Sequence, residues 1–70
     1  MTLRAAEPGI EYIIKSIDTS DRELDAFLFT LGCYSGEPIT VVQHLRYGSI
    51  VFIKDGRYSI DKALAEAIKV

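Results

Sequence analysis

Three β-rich runs crowd the second half of the chain, separated by closely spaced turn signals, and this most limits what it can fold into. The runs "PITVVQHL" (38–45) and "SIVFIKD" (49–55) are dense in β-branched and aromatic residues and join near "RYGS", the pattern of a hairpin. Asp55-Gly56 is a strong short hairpin signal and links the second run to "RYSI". Upstream, Glu7-Pro8-Gly9 marks a turn, and "IEYIIKSI" predicts a first strand over 10–17. Its alternation is imperfect: Ile10, Tyr12 and Ile14 share one parity, Ile13 and Ile17 the other.

Between the first strand and the hairpins the period changes. Leu24, Phe27, Leu28 and Leu31 recur at i, i+3, i+4 and i+7, one apolar stripe of a helix of about three turns. Ser20 with Glu23 three residues later has the pattern of a capping box, and Asp21, Glu23 and Asp25 set negative charge at the positive end of the helix. Gly32 follows as a residue able to stop the helix with positive φ. Phe29 falls well off the stripe, so it either touches a second element or lies exposed. Near the C-terminus, Asp61 is placed to cap a helical turn in "KALAEA", and "IKV" to close the chain as a last strand. The expected fold is mainly β with one covering helix: a small barrel of about five strands plus a short C-terminal helical turn. It forms a single domain over 1–70. Closure suits short strands because it removes exposed edges.

Composition narrows the functional classes. A chain of 70 residues buries only about 60% of the surface its unfolded form exposes, so the core is thin. One cysteine allows no internal disulfide, and a lone thiol suits a reducing cytosol. The first residues contain no apolar h-region, so no signal peptide is expected, and the longest uninterrupted apolar run, Ile50 to Ile53, is far short of a membrane span. A partner would have to bring the protein to a membrane. Net charge is −2, and the eight basic residues are scattered singly, which argues against a nucleic-acid surface.

No catalytic equipment is visible. Cys33 lies past a helix C-terminus, where the dipole disfavours a thiolate, and its one candidate base, His44, has no supporting signature. Cys33 and His44 match no zinc spacing, and no H-x-x-x-H or E-x-x-H pattern accompanies the acidic residues, so neither a metal nor another cofactor is expected. The glycines form no phosphate loop. The seven aromatics are more suggestive. Tyr34 and Tyr47 fall in predicted turns, a placement compatible with partial exposure. Such rings at a barrel rim line a groove for a partner segment, or else fill a thin core and prop loops.

Taken in order, "EPG" before the first strand, "FLFTLGCYSGEPITVV", "IKDGRYSID" and "LAEAIKV" resemble the FeoA family. The pattern L-x-x-L-G-x-x-x-G is carried by Leu28, Leu31, Gly32 and Gly36, and a terminal A-x-x-I-x-V by Ala65, Ile68 and Val70. The resemblance implies an SH3-like barrel and a non-enzymatic, cytoplasmic accessory role in bacterial ferrous iron transport, assisting the FeoB transporter at its cytosolic G domain or membrane part. Partner contacts are then expected at Phe29, Tyr34, Ser35 and Tyr47. The alternative is a direct ferrous-iron carrier or sensor using His44, Cys33 and carboxylates.

Overall fold

The computed structural model describes all residues from Met1 to Val70. A short 3-10 helix (Leu3–Ala5) is followed by strands β1 (Glu11–Ile13) and β2 (Ser16–Ile17), helix α1 (Arg22–Leu31), strands β3 (Pro38–Leu45), β4 (Gly48–Ile53) and β5 (Gly56–Asp61), helix α2 (Lys62–Ala67) and β6 (Ile68–Lys69). The strands form two antiparallel sheets, one of order β1-β3-β4-β5 and one pairing β2 with β6. The mainly β, SH3-like architecture is therefore present, built from two sheets packed on a common core rather than one continuous ring of hydrogen bonds.

The single strand expected over 10–17 is two strands in two sheets. Ile14 N–H donates to Glu37 O at 2.9 Å, while the next residue, Lys15, donates to Lys69 O at 2.8 Å. The chain thus changes sheets between these residues. That transfer explains the broken alternation: Ile13 is 54% exposed on the outside of the larger sheet, whereas Ile14 turns into the core.

Helix α1 is capped by Asp21 and not by Ser20. The Asp21 carboxylate accepts from Glu23 N and Leu24 N at 3.0 and 3.1 Å, and Ser20 takes φ +62° just outside. Asp and Ser cap about equally well. Here Asp21 is further fixed by its own N–H donating to the Thr19 hydroxyl, whose proton goes to the Asp25 carboxylate. Gly32 ends the helix at φ +88°, its N–H donating back to Leu28 O and Phe29 O. The apolar stripe is narrower than the sequence predicts. Leu28 is buried and Leu24 packs against the core, but Phe27 is 57% exposed. At about 100° per residue Phe27 sits at the margin of the stripe, beyond the reach of so small a core.

The β4–β5 turn also differs from expectation. Its two loop residues are Lys54 and Asp55, with Lys54 at φ +55°, and Gly56 already pairs with Ile53. A Cβ at Gly56 would lie 2.6 Å from the Tyr58 hydroxyl, so a side chain there would displace the tip of that ring. Asp61 caps α2 as expected, accepting from Leu64 N at 2.8 Å.

The core takes the inward residues of β3, β4 and β5 (Ile39, Val41, Val51, Ile53, Ile60). To these it adds Leu28 from α1, Ala65 from α2, Ile68 and Val70 from the C-terminus, and Leu3 and Ala6 from the N-terminus. Val70 N–H donates to Met1 O, and Arg4 pairs with Glu66 at 2.6 Å, so the two ends of the chain close over the same face.

Candidate functional site

The turn from α1 into β3 brings three of the four expected contact residues together. Gly32 and Gly36 both take positive φ, +88° and +92°, which lets residues 33–35 loop out and return within a few positions. Cys33 faces inward and is buried; Tyr34 and Ser35 face outward. Phe29, 63% exposed on the flank of α1, stacks on Tyr34 with ring centroids 4.7 Å apart and planes 28° off parallel. The off-stripe phenylalanine is therefore neither buried nor isolated. It forms one wall of an exposed aromatic ridge.

A charged pair braces the ridge from the β4–β5 turn. Lys54 Nζ lies 2.8 Å from Glu37 Oε1 and 6.0 Å from the Tyr34 ring centroid, at the outer limit of a cation–π contact. Lys54 first, then the Tyr34 hydroxyl, holds the Glu37 carboxyl below the usual carboxylate range. Glu37 in turn pushes the Lys54 ammonium and the Tyr34 phenol up. The Lys54 stem lies across Gly32, where a Cβ would meet its Cγ at 2.6 Å. Neither Lys54 nor Glu37 stands out in the sequence. Their pairing depends on two turns meeting in space, which periodicity does not report.

The ridge separates two concavities. The larger, about 530 Å³, runs between the end of α1 and the start of β5 and is floored by Leu31, Gly56 and Tyr58. The smaller, about 260 Å³, is lined by Ile17, Asp25, Cys33 and Ser35. Ser35 is occupied structurally: its hydroxyl donates to Lys15 O at 2.9 Å and ties the turn to the sheet crossover. Tyr47, the fourth expected residue, is not part of this cluster. It is 74% exposed in the β3–β4 turn, at the end of β4 opposite Lys54.

The two candidate ligands of the iron-carrier alternative are not brought together. His44 Nε2 donates to Ala6 O at 2.7 Å, and Nδ1 shares a 2.8 Å hydrogen bond with the buried Ser49 hydroxyl, so the ring fastens the N-terminal segment to the sheet. Cys33 packs in the core, where burial pushes its thiol up to about 11. No three His, Cys, Asp or Glu side chains converge on a common point.

These features define a small SH3-like module with an aromatic ridge and no assembled nucleophile–base pair. The FeoA domain family matches residues 1–70, and the chain belongs to that family. Solved structures agree. The solution structure of iron(II) transport protein A from Clostridium thermocellum superposes with a TM-score of 0.85 at 27% identity, over 99% of this chain and 43% of that one. This chain thus spans less than half the length of that relative. A crystal structure of an iron uptake regulatory protein (FeoA) gives 0.82 at 25% identity, over 97% and 91% of the two chains. FeoA of Stenotrophomonas maltophilia in complex with zinc, described as a prokaryotic SH3 domain protein, gives 0.83 at 18% identity over 99% and 87%, a likeness that bears on the fold. Among curated protein sequences none matches the chain.

Proposed function

We propose that the chain is a non-enzymatic accessory module of ferrous iron transport that docks on the cytosolic side of a FeoB-type transporter and modulates its uptake or nucleotide turnover. The observation that carries this proposal is the Phe29–Tyr34 stack. Two large aromatic rings, Phe29 exposed and Tyr34 half-buried, are stacked in register, braced by Lys54 and Glu37, beside two concavities. Aromatic anchors of this kind dominate the energetics of protein interfaces, with a polar rim around them. Ser35, exposed beside Tyr34, supplies part of that rim. A partner that also engaged Tyr47 would have to span the length of β4, about 20 Å for six residues. No helix is long and apolar enough to cross a membrane.

An amide-resolved NMR titration with the purified G domain of FeoB tests the proposal. Shifts clustered on residues 29–36 and on the Lys54 turn are expected. A second set at 46–48 would add Tyr47 to the surface. An unperturbed spectrum at high partner concentration would sink docking on the soluble domain.

A further inference from the structure

We propose that β5 is a self-complementary edge through which two copies of this chain join antiparallel into one continuous sheet. The proposal does not depend on docking to FeoB. Its starting point is the hydrogen-bond parity of the β4–β5 hairpin. A two-residue loop makes Ile53 and Gly56 the hydrogen-bonded closing pair. Counting outward from it, Gly56, Tyr58 and Ile60 bond to β4, and the backbone N–H and C=O groups of Arg57 and Ser59 and the N–H of Asp61 point away from the sheet, the Asp61 C=O being committed to the first turn of α2. No turn, loop or side-chain hydrogen bond of the fold takes up the backbone groups of Arg57 or Ser59.

The opposite end of this sheet is protected. There β1 is only three residues long, and β3 carries a bulge between Val41 and Gln43 and is covered beyond β1 by Gly9. Edge strands are normally blunted by shortness, proline or bulges. In contrast, β5 has six residues, no proline and an unbroken register with β4 from Gly48↔Asp61 to Ile53↔Gly56.

The charge pattern along that edge selects the occupant. Arg57 and Asp61 lie two residues either side of Ser59, all three exposed on the outer face. Antiparallel pairing of β5 with a second β5 about a twofold axis at Ser59 sets Ser59 opposite Ser59 and each Arg57 opposite Asp61 of the other copy. Ser59 with Ser59 is then a full hydrogen-bonding pair, and each Arg57–Asp61 pair keeps the bond from Asp61 N–H to Arg57 C=O, the Asp61 C=O being committed to α2. Opposite charges fall directly across from one another twice, which favours this register over its neighbours. Such an isologous contact needs only one patch, used by both copies.

The test is sedimentation velocity together with amide NMR on a dilution series of the whole chain from about 1 mM to about 20 µM, the range in which a weak specific contact is populated. Sedimentation should slow on dilution, with shifts moving at Arg57, Ser59 and Asp61. Arg57→Glu turns both cross-strand attractions into repulsions and should weaken self-association by about tenfold. Ser59→Pro removes an outward N–H without touching the ladder to β4 and should abolish it. A chain that is monomeric throughout overturns the proposal, as does self-association that both variants leave unchanged. Shifts at β5 that appear only on adding the FeoB G domain to a monomeric chain would also overturn it, in favour of a heterologous strand.

Discussion

Two glycines with nearly the same backbone conformation stand in different surroundings, and this permits a controlled test of how the ridge is held. Gly32 has φ +88° and Gly36 φ +92°. A Cβ at Gly36 would meet nothing within 4 Å, whereas a Cβ at Gly32 would sit 2.6 Å from Lys54 Cγ and 2.8 Å from its Cε. Gly36→Ala therefore carries only the cost of a left-handed residue with a side chain, about 1–2 kcal/mol. Gly32→Ala carries the same cost plus over-packing, which runs at about 1–3 kcal/mol and falls at the low end where the obstacle is a flexible stem. The backbone costs cancel in the comparison. Gly32→Ala should then melt about 4–8 °C below Gly36→Ala, since 1 kcal/mol moves Tm by that much in a domain of this size. Displacing the stem also pulls Lys54 from Glu37 and Tyr34, so the Tyr34 ring resonances should move in Gly32→Ala and stay in place in Gly36→Ala. Thermal unfolding by circular dichroism and aromatic NMR read both effects. Equal melting temperatures and an undisturbed Tyr34 would refute the bracing of the ridge by Lys54.

Phe29→Ala should leave Tm within a few degrees of the parent, because the ring is mostly exposed, yet weaken docking on the FeoB G domain by about thirtyfold, the loss expected of a hot-spot aromatic. Leu28→Ala, by contrast, removes the one fully buried side chain of α1 and should cost about 2–5 kcal/mol in denaturant unfolding. At pH 8 the Cys33 thiol, pushed up to about 11, should react with a disulfide reagent at least about tenfold more slowly than in the unfolded chain, because its thiolate fraction falls about ninetyfold and the greater nucleophilicity of that thiolate returns part of the loss. The same shift has a definite sign for stability. The folded state favours the neutral thiol, so its contribution is complete below the unfolded value of 9.0 and is lost as pH rises toward 11. The parent should lose about 2 kcal/mol more than Cys33→Ala between pH 8 and pH 10.5, measured by urea unfolding at both.

What the sequence displays depends on how local each determinant is. The stop of α1 at Gly32, the cap of α2 by Asp61 and the hairpins of the second half rest on interactions between residues a few positions apart, and all were legible. The start of α1 was misplaced by one residue because Ser20 and Asp21 are near-equal caps. What separates them is the bond from Asp21 N–H to Thr19, a detail of the preceding turn. The splitting of 10–17 into β1 and β2 was not legible, since it depends on which distant strands the residues meet: β3 for Glu11–Ile13 and β6 for Ser16–Ile17. The imperfect alternation of the isoleucines was its only trace.

The site follows the same division. Phe29, Tyr34 and Ser35 are neighbours along the chain, and one helix end with one glycine-bounded turn is enough to gather them. Lys54 and Glu37 are 17 residues apart and meet because β3 and β4 pair, so that the turn after β4 returns to the turn before β3. Tyr47 shares its chemistry with the half-buried Tyr34 and is more exposed, but the antiparallel ladder sends the two turns of β4 to opposite ends of the sheet. Residue type singles out the rings that fall in turns or off the apolar stripe, while sheet topology decides which of them lie on one surface. If docking uses the ridge alone, Tyr47→Ala will leave affinity unchanged; a loss equal to that of Phe29→Ala would mean that the partner wraps the full length of β4.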